Sequence, residues 1–162
     1  GFSWMLVEWM ARGKPSLLGV VTGAVAGLVA VTPASGFAGP VGSLILGLIV
    51  SPVCFFFCTT VKNMFKYDDS LDVFGVHCVG GIIGAIATGI LVSPGLGGQG
   101  VADYMAQPGT IQFTYAASTQ IMAQIKAVLL TLVLVVAGVR DEQTEREKLG
   151  VRQPKRRRET HS

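Results

Sequence analysis

The feature that most limits what this chain can fold into is the length of its uncharged runs. Between Lys14 and Lys62 no residue carries a formal charge, and from Val73 to Ala102 the only ionisable groups are His77 and Cys78. Half of the 162 residues are hydrophobic, only 14% are charged, and those charges gather in a few clusters. A soluble domain scatters charge along every exposed face, so this pattern is that of a polytopic membrane protein. The formal net charge of +3 would hint weakly at nucleic acid in a soluble protein; here the basic excess is a topology signal.

The spans can be read in order. Gly1 to Met10 is the tail of an apolar helix that ends in the basic turn Ala11 to Pro15, with Glu8 beside the interfacial Trp9 and so expected near the headgroups. The chain has no initiating Met and opens inside this apolar stretch, which is expected of a fragment without a signal peptide. Ser16 to Val31 is the next span, slightly short of the ~20 residues a straight crossing needs, with Thr32 and its neighbours extending it. Its Gly19, Gly23 and Gly27 form a close-packing stripe. Phe37 to Met64 follows, with a second small face at Gly39, Ser43, Gly47 and Ser51, a Pro52 expected to kink it, and Phe55, Phe56 and Phe57 packed against lipid or other helices. Asp72 to Val92 is a further span. Ser93 to Gln112 is a Gly-rich loop, and Ile111 to Val139 is the last span. Asp141 to Ser162, ending in Lys155 to Arg158, reads as a solvated, largely disordered or induced-fit tail. The expected domains are residues 1–139, an all-α transmembrane part (the end of one helix and four more membrane helices), and residues 140–162, a tail.

Charge assigns the sides. Arg12 and Lys14, then Lys62 and Lys66, then Arg140, Arg146, Lys148, Arg152 and the terminal basic cluster all fall on alternate connections. The connections between, Thr32 to Gly39 and Ser93 to Gln112, hold neither Lys nor Arg. The positive-inside rule places the tail and both basic connections in the cytoplasm.

Few residues offer chemistry. Asp72 is placed to cap a helix. His77 follows five residues on, roughly 7.5 Å along a helix axis at ~1.5 Å per residue. His77, Gly81, Gly84 and Thr88 recur at steps of four, three and four and are expected on one small, polar helix face. A lone His in a membrane helix is more often functional than one in a soluble core, at about two to one here, because burying a polar group in hydrocarbon is costly. An imidazole can donate at one nitrogen and accept at the other, which suits a small amine-like solute. Asp72 and Asp69 are favoured as helix-start caps at about three to one over a direct cation-attracting role. Cys54, Cys58 and Cys78 all lie in apolar segments and read as small hydrophobes rather than a disulfide or metal site. Lys126, after Gln120 and Gln124, either faces a polar partner or snorkels outward. No nucleophile–base pair, metal spacing or nucleotide loop is present, since the Gly-Gly pairs are not followed by Lys and Ser or Thr. The chain is therefore not expected to be an enzyme, to carry a cofactor or to bind nucleic acid.

The run Asp68-Asp69-x-x-Asp72-Val73-Phe74-Gly75-Val76-His77, followed by a glycine-rich helix, closely resembles the ammonium transporter family, the bacterial Amt branch of the Amt/Mep/Rh superfamily. Trp4 to Leu18 and Gly23 to Gly36 fit it too. The resemblance runs from about Gly1 to Leu91, thins after Pro94, and implies the C-terminal portion of an eleven-helix inverted-repeat fold, from the end of its seventh helix. It implies ammonium or ammonia transport through a hydrophobic pore, a homotrimer with one pore per subunit, and an inner (plasma) membrane location with a cytoplasmic tail. His77 matches the second of the family's two pore histidines, which meet from the two inverted repeats and handle ammonium as it loses its proton. Val73, one turn earlier, should face the same conduit, although without the family an ordinary apolar contact is equally plausible; Asp69, Asp72, Gly81 and Gly84 would be structural residues near it. Two features depart from the family. Its last helix is longer than Ile111 to Val139, and its tail is more acidic than Arg152 to Ser162, which argues against inherited docking of a PII signal protein. An ammonium sensor and a non-functional truncated fragment are the alternative readings.

Overall fold

The computed structural model of the chain describes residues 1–65, 72–103 and 112–149. Its elements are α1 (Phe2–Arg12), α2 (Leu17–Val31), α3 (Pro40–Phe56), α4 (Lys62–Phe65), α5 (Val79–Leu91), strands β1 (Val101–Asp103) and β2 (Gln112–Thr114), and α6 (Ala117–Lys148). Two wide π turns join them, Phe57–Val61 between α3 and α4 and Phe74–Cys78 leading into α5. Among the described residues four stretches are long and apolar enough to cross a membrane: Leu17–Ala34, Pro40–Phe65, Phe74–Leu91 and Ala117–Arg146. The architecture is that of an all-α polytopic membrane protein. A 3-10 turn, Thr32–Ala34, supplies the length that α2 lacks by itself.

The chain divides into two compact units, Gly1–Val128 and Leu129–Ser162. In the first, α2 packs along α3, α1 lies against both, and α5 rests on α2 and α3. The buried core is Trp4, Ala26, Ala30, Leu46, Val50, Cys54, Phe55, Cys58 and Val76. Trp4 meets Phe55 edge to face, ring centroids 5.4 Å apart. Small residues set these crossings, though not along whole stripes. Gly19 faces the Glu8 carboxylate and Gly23 faces Trp4, while Gly27 faces open space. On α3 the buried line is Gly42, Leu46, Val50 and Cys54, one position off the small residues. Ser51 is fully buried and donates to the Gly23 carbonyl at 3.3 Å, tying α3 to α2. The helix runs on through Pro52, and of the three consecutive phenylalanines Phe55 is buried and Phe56 exposed.

The C-terminal third departs from the sequence reading. Gln112–Thr114, expected inside the last helix, is a strand antiparallel to Val101–Asp103, with Val101 opposite Thr114 and Ala102 opposite Phe113. Aromatic and β-branched residues (Phe113, Thr114, Tyr115) favour extended backbone there. The Tyr115 hydroxyl donates to the Gly89 carbonyl at 3.1 Å. Helix α6 starts only at Ala117, and it continues to Lys148 instead of ending at Val139. The first residues of the expected disordered tail are therefore helical. Glu142 pairs with Arg146 and Glu145 with Lys148, each at 2.6 Å, and such pairs one turn apart support a helix in water. Asp69, Lys66 and residues 150–162, with the basic cluster, lie outside the described residues.

Candidate functional site

The two basic connections come together at one end of the first unit. Helix α1 stops at Gly13, whose φ of 77° is left-handed and whose N–H donates to the Trp9 carbonyl at 2.8 Å. The chain then reverses, and Ser16 caps α2 by accepting from the Gly19 N–H at 2.9 Å. Glu8 is buried at this reversal. Its carboxylate accepts from the Ser16 N–H at 3.0 Å, from the Ser16 hydroxyl at 2.9 Å and from Arg12 at 3.2 Å. A polar cavity of about 250 Å³ opens beside it, lined by Glu8, Arg12, Ser16, Lys62, Asn63 and Asp72 among others. The two uncharged connections also meet, because a Cβ at Gly39 would stand 2.7 Å from the Gly97 carbonyl oxygen.

Asp72 opens the segment that carries His77. Its φ of 53° lies in the left-handed region, which Asp tolerates better than most residues. Its backbone carbonyl accepts from the Val76 N–H at 2.9 Å, and its carboxylate takes the Lys62 ammonium at 2.7 Å. The carboxylate of Asp72 is thus tied by an ion pair to α4, the end of the preceding span. The backbone then widens into the π turn Phe74–Cys78, which contains His77. Helical π turns are rare and concentrate at functional sites.

The four-residue face expected from helical spacing divides in two. Gly84 is packed so tightly on α2 that a Cβ there would run into the Ala30 carbonyl, and Thr88 is buried with its hydroxyl donating to the Gly84 carbonyl at 2.8 Å. His77 is exposed, and a Cβ at Gly81 would meet nothing within 4 Å. The packed line is instead Gly75, Gly80, Gly84 and Thr88. The division falls inside α5 itself, where α2 covers Gly84 but leaves Gly81 open, while the π turn ahead of α5 rotates the positions before it relative to those after it. Val73 and Phe74, each about half exposed, lie at the start of the same segment.

Sequence reasoning missed the residues that seat this turn. Gly75 lies against Cys58, Gly80 against Cys54 and the Phe74 ring 6.5 Å from that of Phe57. The alternation of small residues with Cys54 and Cys58 was the available signal, but nothing local shows which glycine faces which cysteine. None of the three cysteines is in a disulfide; Cys54 and Cys58 are buried and Cys78 partly so. Among the described residues no group of three His, Cys, Asp or Glu could hold a metal ion. Lys126 is exposed on α6.

Known proteins resemble this chain in sequence and in fold. The sequence model of the Ammonium Transporter Family matches residues 1–148. The ammonium transporter of Aquifex aeolicus (strain VF5) is 43% identical over 130 residues, covering 80% of this chain and 28% of that protein. That of Bacillus subtilis (strain 168) is 44% identical over 132 residues, covering 82% of this chain and 30% of that protein. Among solved structures, Saccharomyces cerevisiae Mep2 aligns with a TM-score of 0.63 at 28% identity, over 83% of this chain and 30% of that one. This chain therefore spans less than a third of the length of the relatives it matches.

Proposed function

We propose that this chain, which belongs to the ammonium transporter family, forms the C-terminal part of a membrane pathway for ammonium or ammonia, with His77 and Val73 on the wall of that pathway. Its relatives are named as transporters, not enzymes. The observation that carries the reading is the division of labour on the segment 72–92. One side is packed by glycines onto α2 and α3, and on the other, among the described residues, the imidazole of His77 is exposed. An ionisable ring left uncovered on a membrane helix needs a polar partner or a solute beside it. A neutral imidazole supplies one donor and one acceptor, so it can accept a proton from ammonium or hydrogen-bond to ammonia. Inverted-repeat transporters place such sites at the repeat interface. The second histidine and the opposite wall would then come from the part of the relatives that this chain does not span. Asp72 acts structurally at the mouth, since its carboxylate is engaged by Lys62. Trimeric assembly, a plasma-membrane location and a cytoplasmic tail belong to the same proposal; docking of a PII signal protein does not, because the terminal cluster is basic.

The test is uptake of labelled methylammonium by full-length protein in liposomes, with His77→Ala. Uptake should fall by at least about a hundredfold, the lower end of the range for loss of one proton-handling group, while the variant elutes normally. Uptake at the parental rate and selectivity would remove His77 from the pathway.

A further inference from the structure

His77 is exposed, and it is held by what happens on either side of it. At the outer end of the turn, Lys62 grips Asp72 at 2.7 Å. One step inward, the rings of Phe57 and Phe74 meet at 6.5 Å. Next, Gly75 touches Cys58 so closely that a Cβ there would overlap the Sγ atom and stand 3.1 Å from the Cys58 backbone nitrogen. Deeper still, Gly80 faces the Cys54 Sγ atom at an ordinary 3.5 Å, and Gly84 is set on Ala30.

The spacing of these contacts matters. Gly80 to Gly84 is four residues, the step that returns an α-helix to the same face. Gly75 to Gly80 is five, the hydrogen-bond step of a π turn. Keeping both glycines on one seam therefore requires the wide turn, and the wide turn sends the intervening His77 to the uncovered side. We propose that the seating of Gly75 on Cys58 is the device that fixes this turn, which makes Gly75 a positioning residue for His77. The inference rests on the pathway reading of His77 only for its consequence on flux. A side chain at position 75 has to push the segment off Cys58. The Asp72 ion pair holds the start of the turn and Gly84 on Ala30 holds α5 beyond it, so the displacement is taken up between them, where His77 lies.

The experiment uses full-length protein in liposomes, with ammonium flux followed against pH. It is paired with solid-state 15N spectra of histidine-labelled protein, in which the His77 signal is identified by its loss in His77→Ala. Gly75→Ala should move the His77 titration midpoint and lower flux on the order of tenfold to a hundredfold, the scale of an ångström-level misplacement. Adding Cys58→Gly, which removes the obstructing Sγ atom, should bring the midpoint back toward the parent, and Gly47→Ala, in open space on α3, should move neither readout. If Gly75→Ala does not assemble, Cys58→Val crowds the same contact from the other side and should move the midpoint in its place. A folded Gly75→Ala, or in its absence a folded Cys58→Val, with parental midpoint and parental flux would overturn the proposal. A shifted midpoint in a protein whose flux is indifferent to His77→Ala would keep Gly75 as a positioning residue and discard the pathway reading.

Discussion

A glycine that looks interchangeable in the sequence becomes specific once its neighbour is known. Gly81 and Gly84 sit three residues apart on one helix, yet a Cβ at Gly84 would lie 2.9 Å from the Ala30 Cα atom and 2.8 Å from its carbonyl carbon, while one at Gly81 would touch nothing. Backbone atoms cannot rotate aside, so Gly84→Ala forces α5 away from α2, a change of the overpacking kind that costs about 1–3 kcal/mol. Gly81→Ala should be neutral or mildly stabilising, since Ala is up to ~1 kcal/mol the better helix former. Thermal melts in detergent should show a lower Tm for Gly84→Ala alone; equal melts would mean that α5 does not rest on Ala30. The same pair shows what was legible at this scale. His77 could be singled out because an imidazole among apolar residues is conspicuous. The orientation of its neighbours could not, because it depends on which glycine meets Ala30, Cys54 or Cys58 on elements distant in sequence, beyond any local period.

Elements were easier to read than faces. Long apolar runs locate the spans Leu17–Ala34, Pro40–Phe65 and Phe74–Leu91 within a few residues, since the hydrocarbon core fixes how long such a run has to be. What failed was the assumption that a small-residue stripe is a single interface. Gly23 is covered by Trp4 and by the Gly1 Cα atom at 3.2 Å, while Gly27, one turn on, is open. Gly23→Leu should therefore disrupt the α1–α2 crossing and abolish the folded oligomer in detergent, whereas Gly27→Leu should elute like the parent. Equal elution of the two would show that α1 does not sit on α2 through Gly23. Apolar periodicity also misjudged α6 at both ends. It counted Gln112–Thr114 as helix, where a partner strand decides the conformation, and it stopped at the last apolar residue, although acidic and basic residues one turn apart carry the helix to Lys148.

At the scale of the molecule, the arrangement of charge implies a definite sidedness. Arg12, Lys14 and Lys62 follow or close spans at the end where the Glu8 and Asp72 carboxylates also gather, and the connections at the other end carry neither Lys nor Arg among the described residues. Helix α6 should return the chain to the basic end. Its run from Ile121 to Val139 is about 28 Å long at ~1.5 Å per residue, close to the ~30 Å hydrocarbon thickness, so Arg140 falls at the boundary and Thr144 about one turn into water. Lys and Arg are retained on the cytoplasmic side during insertion. In a background with Cys54, Cys58 and Cys78 replaced, Ser35→Cys, which is exposed on an uncharged connection, should react with a membrane-impermeant maleimide on intact cells. Lys14→Cys and Thr144→Cys, both at exposed positions, should react only after permeabilisation. Labelling of Lys14→Cys in intact cells would invert the assignment. Labelling of Thr144→Cys alone would keep the sidedness of α2 and α3 but show that α6 does not complete a crossing.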